Sequence, residues 1–530
     1  MKIWLYGKLK SIRIFNGLLM NIEHSMSVLY PGSGRDIINK TMSVMIKVIM
    51  SDIILTLILF LTGIKIYYII VAVIFMYFVT GGIIKKIIYR LETELLIKEE
   101  KLISDFRYKY QILPVVEDAL REAVECSEQE MVLHGQLLLE HLESLNEDKE
   151  DDYEENAANG YLLTLYALCK TVQMYGDRKT EKGSAFLENL SYLKEELHIE
   201  ILKRKKIMSV FSGLSVLSLF PILAIRPVEI WSISNMPELE QYFNSVSGRV
   251  ITVLLGLISI CIYRITVQLK YPPGNIGETK SKLITLSHKG IIDRMIVKYM
   301  SINYKKAAAL NTRLKNMAYK YNVREFIFYR IIMAFLLFFI GCTACITIGI
   351  SLIISPFFLI LGYYIPYISV IINENIIKMN REEEIIRFQN IILIMINSQS
   401  INVHMILERM ESFAIVFKSY IQYLYDEYPN KGTEVFEIVR DECGYRPFER
   451  LMESFMACDN VPVENAFEDL KSDRRFYMEK HKQDNEIILE NKGAIARFLA
   501  FIPLYGIVIM KLIIPFAIEG IKMMENGFSI

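Results

Sequence analysis

Glu384-Ile-Ile-Arg-Phe-Gln-Asn-Ile-Ile392 lies near the start of a segment, Arg381–Ile518, from which the architecture of this chain can be worked out. The run has a helical pattern and follows an apolar stretch. Water-soluble sequence continues to Lys492, and the chain becomes strongly apolar at Phe498–Ile518. A helix needs about 20 mainly apolar residues to cross a membrane. The segment therefore predicts a soluble helical domain that leads into a membrane span.

Landmarks of this segment occur earlier in the chain at a nearly constant distance. Phe388 follows Phe106 by 282 residues, and Pro503 follows Pro221 by the same distance. Two apolar hairpins are separated by a similar number of residues. A fixed spacing of this kind indicates an internal duplication.

The composition favours a membrane protein. Hydrophobic residues make up 52% of the 530 residues, and 60 basic residues balance 60 acidic ones, so the net charge gives no indication of nucleic acid binding. The seven cysteines form no pattern typical of a disulfide framework or a zinc site. We expect an all-α membrane protein with about seven transmembrane helices and two duplicated cytoplasmic helical bundles.

The predicted organisation has eight segments. Basic residues at Lys85, Lys86 and Lys203–Lys206 flank apolar runs and predict a multi-pass protein of the cell membrane with a cytoplasmic N-terminus. The segments are a basic amphipathic N-terminal segment (1–45), a transmembrane hairpin (46–83), a cytoplasmic bundle (84–206), two spans with a short outer loop (207–268), a basic cytoplasmic linker (269–330), a second hairpin (331–373), a second bundle (374–496) and a last span (497–520).

Three local predictions concern the ends of these segments. Apolar residues from Leu5 to Leu19 recur at helical spacing among basic ones, which predicts a helix on the inner membrane surface or, alternatively, a solvated arm. The acidic run Glu147–Glu155 predicts a solvated loop. The first span of the segment 207–268 is expected to end at Ile225, which leaves 226–248 as the outer loop.

Motifs for chemistry are absent from the sequence. It contains no Gly-x-x-x-x-Gly-Lys-Ser/Thr run for phosphate binding, no nucleophile elbow and no metal-ligand motif. We therefore expect no catalytic activity, no cofactor and no bound metal. The main charge inside a predicted span is Lys511, which either reaches outward to the interface or contacts a partner helix. Pro221 and Pro503 predict helix kinks.

The chain resembles the type II secretion system F family, the assembly-platform proteins of type II secretion and type IV pili. The resemblance rests on the Glu384 run, on Phe448-Glu-Arg-Leu-Met-Glu-Ser-Phe-Met-Ala-Cys-Asp-Asn-Val-Pro-Val-Glu-Asn-Ala-Phe467, and on the proline-containing span at Phe498–Pro503. It covers about residues 85–525. Where the family usually carries a turn glycine, this chain has Asn460. The arrangement is similar to the TadB and TadC subunits of Tad pili joined in one chain.

The resemblance implies partners for the two bundles. A separate secretion or pilus ATPase would bind the cytoplasmic bundles, transmembrane helices of pilins or pseudopilins would contact the spans, and the chain would also contact membrane lipids but no nucleic acid. Whether it forms a homo-oligomer is left open. The predicted docking patch is a charged helix start, and a solvated face remains the alternative. Its residues are Glu464, Glu468, Asp469, Arg474 and Arg475.

The function predicted on this basis is that of an assembly platform that couples a cytoplasmic ATPase to pilin assembly. The alternative is a membrane transporter or channel with internal repeats, which repeated spans also favour. The sequence leaves open which filament is built and which ATPase drives it.

Overall fold

The structure is a computed structural model, and it is all-α, with 89% of the described residues helical. It describes all residues except 1, 12, 64, 66–67, 144–152, 154–156, 181–182, 272–293, 295, 299, 302–303, 317–322, 349–354, 397–401, 469–473 and 529–530. The predicted acidic loop at 147–155, apart from Tyr153, lies outside the described residues. So does most of the turn predicted near Gly349–Pro356.

The helices of the first half of the chain are α1 (Lys2–Ser11), α2 (Arg13–Leu29), α3 (Gly34–Leu61), α4 (Ile69–Ile112), α5 (Val116–Glu125), α6 (Gln129–Glu143), α7 (Gly160–Tyr175), α8 (Ala185–Phe211), α9 (Leu214–Asn235), α10 (Leu239–Asn244) and α11 (Val246–Lys270). Two short antiparallel strands, β1 (Lys179–Thr180) and β2 (Gly183–Ser184), join α7 to α8.

The helices of the second half are α12 (Tyr304–Asn316), α13 (Val323–Ile348), α14 (Ser355–Ile396), α15 (Val403–Phe413), α16 (Lys418–Lys431), α17 (Glu434–Cys443), α18 (Arg446–Ala457), α19 (Val463–Ala466), α20 (Arg474–Ile507) and α21 (Ile514–Phe528). A π-helix at Val508–Ile513 connects α20 to α21 without a break.

The chain divides into two compact units, each built from three segments. Unit 1 contains Met1–Ile49, Ile83–Lys206 and Asn380–Ile488, and unit 2 contains Met50–Gly82, Ile207–Met379 and Leu489–Ile530. The predicted soluble segments at 84–206 and 374–496 fall almost wholly within unit 1. Each passage of the chain from one unit to the other lies inside a helix, namely α3, α4, α8, α14 or α20.

Aromatic rings fill the core of unit 1. Both repeat landmarks, Phe106 and Phe388, are fully buried. Phe106 packs edge-on against Phe186 with 5.8 Å between the ring centroids. Phe388 lies 6.3 Å from Phe417, which stacks on Phe448 at 4.4 Å. Edge-on and stacked aromatic pairs stabilise a core beyond the area that they bury.

Glu384, from the run that opened the sequence analysis, fixes a turn in unit 1. Its buried carboxylate accepts the backbone N–H groups of Ile415, Val416 and Phe417 at 2.8, 2.6 and 3.0 Å. Burial raises the pKa of Glu384, and the three backbone hydrogen bonds oppose that rise. These three N–H groups belong to the turn between α15 and α16. The carboxylate therefore supplies acceptors for backbone donors that would be costly to bury without partners.

The two predicted bundles are in contact inside unit 1. Asn390 donates a buried hydrogen bond of 2.9 Å to Glu196. A Cβ atom at Gly160 would lie 2.8 Å from the Phe413 ring, so only glycine permits the present packing of α7 on α15. These contacts give both soluble segments a common core.

Five helical stretches of the described residues are long and apolar enough to cross a membrane, which is compatible with a multi-pass membrane protein. They are Gly34–Leu61, Val71–Ile112, Ala185–Asn235, Val246–Lys270 and Lys482–Met524. The predicted turn of the first hairpin is present, since α3 ends at Leu61 and Gly63 has φ +68°. The predicted second hairpin contains the shorter apolar helix Phe358–Tyr367.

Of three local predictions, the bounds of the outer loop are wrong. Helix α9 continues to Asn235, so the first part of the expected outer loop at 226–248 is helical. The apolar residues Leu9 and Leu19 are buried within the protein, so these two side chains do not face lipid, and membrane binding by the N-terminal segment stays a prediction. Within the acidic run the structure describes only Tyr153, which is buried with its ring 4.8 Å from that of Tyr166. The solvated loop therefore stays a prediction.

Candidate functional site

The site begins with a charged pair buried among the apolar helices of unit 2. The Nζ atom of Lys511 lies 2.6 Å from Oε1 of Glu229. It also donates to the Thr252 hydroxyl at 2.5 Å and to the Gly248 carbonyl at 3.3 Å. An ammonium group has three N–H donors, so all three are used. The side chains of Lys511 and Glu229 are 0% and 1% exposed.

The local backbone of Lys511 is unusual. This residue lies within the π-helix Val508–Ile513, which interrupts an otherwise α-helical run from Arg474 to Phe528. Single π-turns are rare inside α-helices and occur frequently at functional sites. Here the π-helix carries Lys511, which contacts Glu229.

A short helix covers the pair. Helix α10 places the fully buried ring of Phe243 with its centroid 5.2 Å from Nζ of Lys511. Ser245 then caps the start of α11 by accepting the N–H of Gly248. A Cβ atom at Gly248 would lie 2.5 Å from the carbonyl oxygen of Tyr242. The absence of a side chain at Gly248 therefore lets α11 start directly beneath α10.

Glu229 has a second cationic partner on its own helix. Arg226, one turn earlier on α9, contacts Oε2 of Glu229 at 2.9 Å and donates to the carbonyl oxygen of Gly63 at 3.3 Å. Each carboxylate oxygen of Glu229 thus contacts one cation, since Oε1 contacts Lys511 and Oε2 contacts Arg226. A buried charge is tolerated only when it is paired and its remaining hydrogen-bonding groups are satisfied, and this arrangement meets both conditions.

Comparisons with known protein families, with curated proteins and with solved structures found no match.

The predicted site residues fall in three places. Lys511 is buried and contacts Glu229 of the same chain, so its side chain does not reach outward. Pro221 and Pro503 lie inside α9 and α20, as expected for residues that bend helices. Whether they act as kinks stays a prediction.

The predicted docking residues do not share one continuous helix. Glu464 lies in α19, which ends at Ala466, and the exposed Glu468 follows the end of that helix. Arg474 and Arg475 begin α20, and Asp469 lies outside the described residues. Glu464 and Glu468 do not lie in one continuous helix, because Phe467 ends α19 and is buried against Phe455. Whether these residues form a docking patch stays a prediction.

Glu229 is the residue that sequence analysis missed. It was assigned to the outer loop because glutamates outnumber basic residues there. The signal that could have found it is the repeat spacing, because Glu229 and Lys511 are 282 residues apart, as are Pro221 and Pro503.

Among the described residues no group of His, Cys, Asp or Glu is placed to hold a metal ion.

Proposed function

We propose that this chain is a membrane assembly platform of a type II secretion or Tad-like pilus system, and that it couples a cytoplasmic ATPase to pilin assembly. The observation that carries the proposal is the Glu229–Lys511 pair, which joins equivalent positions of two repeats. Such pairing supports a chain built from two related halves, as expected for TadB-like and TadC-like parts joined together.

Equivalent helices also contact each other along their length. In unit 1, Lys482 lies 3.5 Å from Glu195 and Glu486 lies 3.1 Å from Lys206. In unit 2, a Cβ atom at Gly493 would lie 2.8 Å from Val210. These pairs are between 280 and 287 residues apart. Residue numbers increase on both helices from one contact to the next, so α8–α9 and α20–α21 pack in parallel. This direction supports a pseudo-twofold relation between the halves.

The order of helices supports the same duplication. The starts of α5 and α15, of α6 and α16, of α7 and α18, and of α8 and α20 are 286 to 289 residues apart. The counterpart of α17 would fall near residues 148–158, much of which lies outside the described residues. The proposal includes seven spans and a cytoplasmic N-terminus.

The helices that pass from one unit to the other suggest how an ATPase would be coupled to the membrane helices. Helices α3, α4, α8, α14 and α20 enter unit 2 without a break. An α-helix advances 1.5 Å per residue through a continuous ladder of hydrogen bonds. In the proposed platform these helices would connect the segments that bind the ATPase to the apolar segments that contact pilin helices.

The experiment is capture of the cognate ATPase by the purified full chain. Reversing two charges of the predicted docking patch, Glu464→Lys with Glu468→Lys, is expected to reduce co-purification most at low salt, because rim charges mainly set association rate and salt dependence. The matched control is Glu434→Lys with Glu437→Lys on α17, which reverses two exposed charges elsewhere in unit 1. Failure of the unmutated chain to bind any ATPase would contradict the platform function.

One observation favours a transporter as the second candidate. Ionisable residues inside apolar helices often mark ion or substrate pathways, and Glu229 with Lys511 forms such a pair. Flux of ions or small solutes into liposomes that contain the chain would support this function. A flux that Glu229→Gln abolishes would favour it over the platform, whereas ATPase capture without flux would exclude it.

A further inference from the structure

A second feature of unit 2 is a carboxylate on an apolar helix. Asp52 lies in α3, nine residues before that helix ends at Leu61, which is a rise of about 14 Å. The hydrocarbon core of a membrane is about 30 Å thick. With the hairpin turn at Gly63 at one surface of the membrane, Asp52 therefore lies close to the middle.

The carboxylate of Asp52 has a neutral partner that satisfies it only in part. The Thr80 hydroxyl lies 3.1 Å from both Oδ1 and Oδ2, and it also lies 2.8 Å from the Met76 carbonyl oxygen. A hydroxyl has a single O–H donor, whereas a carboxylate can accept about four hydrogen bonds. Within the part of the chain that the structure describes, the Asp52 carboxylate contacts no cation. A charge in apolar surroundings needs a partner of opposite sign.

Arg264 on α11 has the opposite requirement. Its side chain is exposed, and its Cζ atom lies 5.6 Å from the centroid of the Phe78 ring. None of the described carboxylates contacts it. Phe78 and Thr80 are two positions apart on α4, which corresponds to a rise of about 3 Å and a rotation of about 200°. The cation and the carboxylate therefore lie at nearly the same level on opposite sides of α4, where they cannot neutralise each other.

An exposed apolar surface lies between the two charges. Val73 and Tyr77, one turn apart on α4, are 63% and 73% exposed. Leu57 on α3 and Ile258 on α11 are exposed as well, so the surface extends over three helices. We call the surface formed by these four residues, with Asp52 and Arg264 at its edges, the α4 face.

We propose that the α4 face binds the α4 face of a second copy of this chain, with Asp52 of each copy paired to Arg264 of the other. Copies in one membrane share one orientation, so a two-fold axis along the membrane normal keeps the depth of each residue and exchanges the two sides of the face. Each carboxylate then meets a guanidinium at its own level, and the fork of the guanidinium can donate to both carboxylate oxygens.

Charge complementarity favours a second copy as the occupant. A partner must carry one cation and one carboxylate at the spacing of Arg264 and Asp52 to neutralise both. A second α4 face has this spacing by symmetry, whereas a lipid headgroup or a helix with a single charge would leave one of the two without a partner. The proposal does not depend on the proposed function.

Charge reversal in the full-length chain tests the pairing. Asp52→Lys gives a face with two cations, and Arg264→Glu gives a face with two carboxylates. Chains with donor or acceptor dyes on an added C-terminal tag are reconstituted in liposomes, and energy transfer is measured as the protein is diluted in lipid. The unmodified chain should show transfer above that of random proximity. Each variant alone should raise the dissociation constant of the dimer about tenfold or more.

An equimolar mixture of the two variants is the decisive sample. A face with two cations then meets a face with two carboxylates, so the mixture should regain the energy transfer that each variant lacks alone. Misfolded chains would not regain it on mixing, which separates lost pairing from lost folding. Asp52→Lys with Arg264→Glu in one chain should also associate. Lys522→Gln, which removes an exposed charge from α21, is the control and should change nothing.

Three results would overturn the proposal. Energy transfer no greater than that of random proximity in the unmodified chain would show that the α4 face meets lipid or a different protein. Unchanged dimerisation of either single variant would show that the two charges do not hold the copies together. Absence of transfer both in the mixture and in the double variant would show that Asp52 and Arg264 do not pair between copies.

Discussion

Glu229 and Lys511 are 282 residues apart in the chain and 2.6 Å apart in space. The same spacing separates Pro221 from Pro503, and each charged residue follows its proline by eight positions. In the proposed duplication the two side chains therefore occupy equivalent places in two helices, and they have opposite charges. A contact between equivalent positions lies on or near the axis that relates them.

This pair should behave as a coupled unit. Lys511→Met leaves the Glu229 carboxylate buried with one cation fewer, and Glu229→Gln leaves two cations without their anion. Removing one partner of a buried ion pair typically costs about 3–5 kcal/mol, whereas replacing both costs much less. We expect the double variant to be more stable than either single variant in detergent unfolding measurements. Additive losses would show that the two charges do not interact.

The parallel packing of α8 on α20 predicts the effect of filling a glycine. A Cβ atom at Gly493 would lie 2.8 Å from Val210, so Gly493→Leu should overpack this contact and cost about 1–3 kcal/mol. The control is Gly520→Ala on α21, where no atom lies within 4 Å of the added carbon. It should leave stability unchanged or raise it by up to about 1 kcal/mol. Thermal unfolding compares the two, and equal effects would contradict the packing.

His134 predicts a pH dependence of stability in unit 1. Burial lowers the pKa of its imidazole, and the hydrogen bond from Nε2 to the Leu29 carbonyl, at 3.0 Å, opposes that shift. The unfolded chain, with a histidine pKa of about 6.5, therefore takes up a proton more readily than the folded one. This contribution is complete above about pH 6.5 and is lost as the pH falls below that value.

Unfolding measured from pH 8 to pH 5 tests the role of His134. His134→Gln should flatten the dependence below about pH 6.5, the ordinary histidine value. His24→Gln, at an exposed position of α2, is the control and should leave the profile unchanged. An identical slope in the His134 variant would assign the dependence to other groups.

Topology can be tested with single cysteines in a cysteine-free chain. A membrane-impermeant maleimide should label Asn235→Cys, at the end of α9, from outside intact cells. It should label Asn430→Cys, in α16, only after the cells are opened. The physical reason is the excess of basic residues at 203–206, which keeps the flanking segment inside. Outside labelling at position 430 would exclude the cytoplasmic location of this segment.

Sequence patterns predicted the helical class and the first apolar hairpin, because both depend on local features such as apolar run length and the turn at Gly63. They failed where a distant partner determines the environment. The local sequence around Glu229 predicts a loop, because its contact with Lys511 involves a residue 282 positions away. Leu9 and Leu19 look like lipid-facing residues until the remainder of unit 1 covers them. The π-helix around Lys511 has no recognisable signature in the local sequence.

The opposite charges of Glu229 and Lys511 limit which helices could pack against each other if two copies of the chain associated. If α9 of one chain met α9 of a second chain in the same way, two carboxylates would be buried together, and two last helices would bury two ammonium groups. Either arrangement is strongly unfavourable. In the proposed duplication the two halves would therefore pair with each other one to one. Their covalent linkage would give that ratio from a single round of translation, without balanced synthesis of separate subunits.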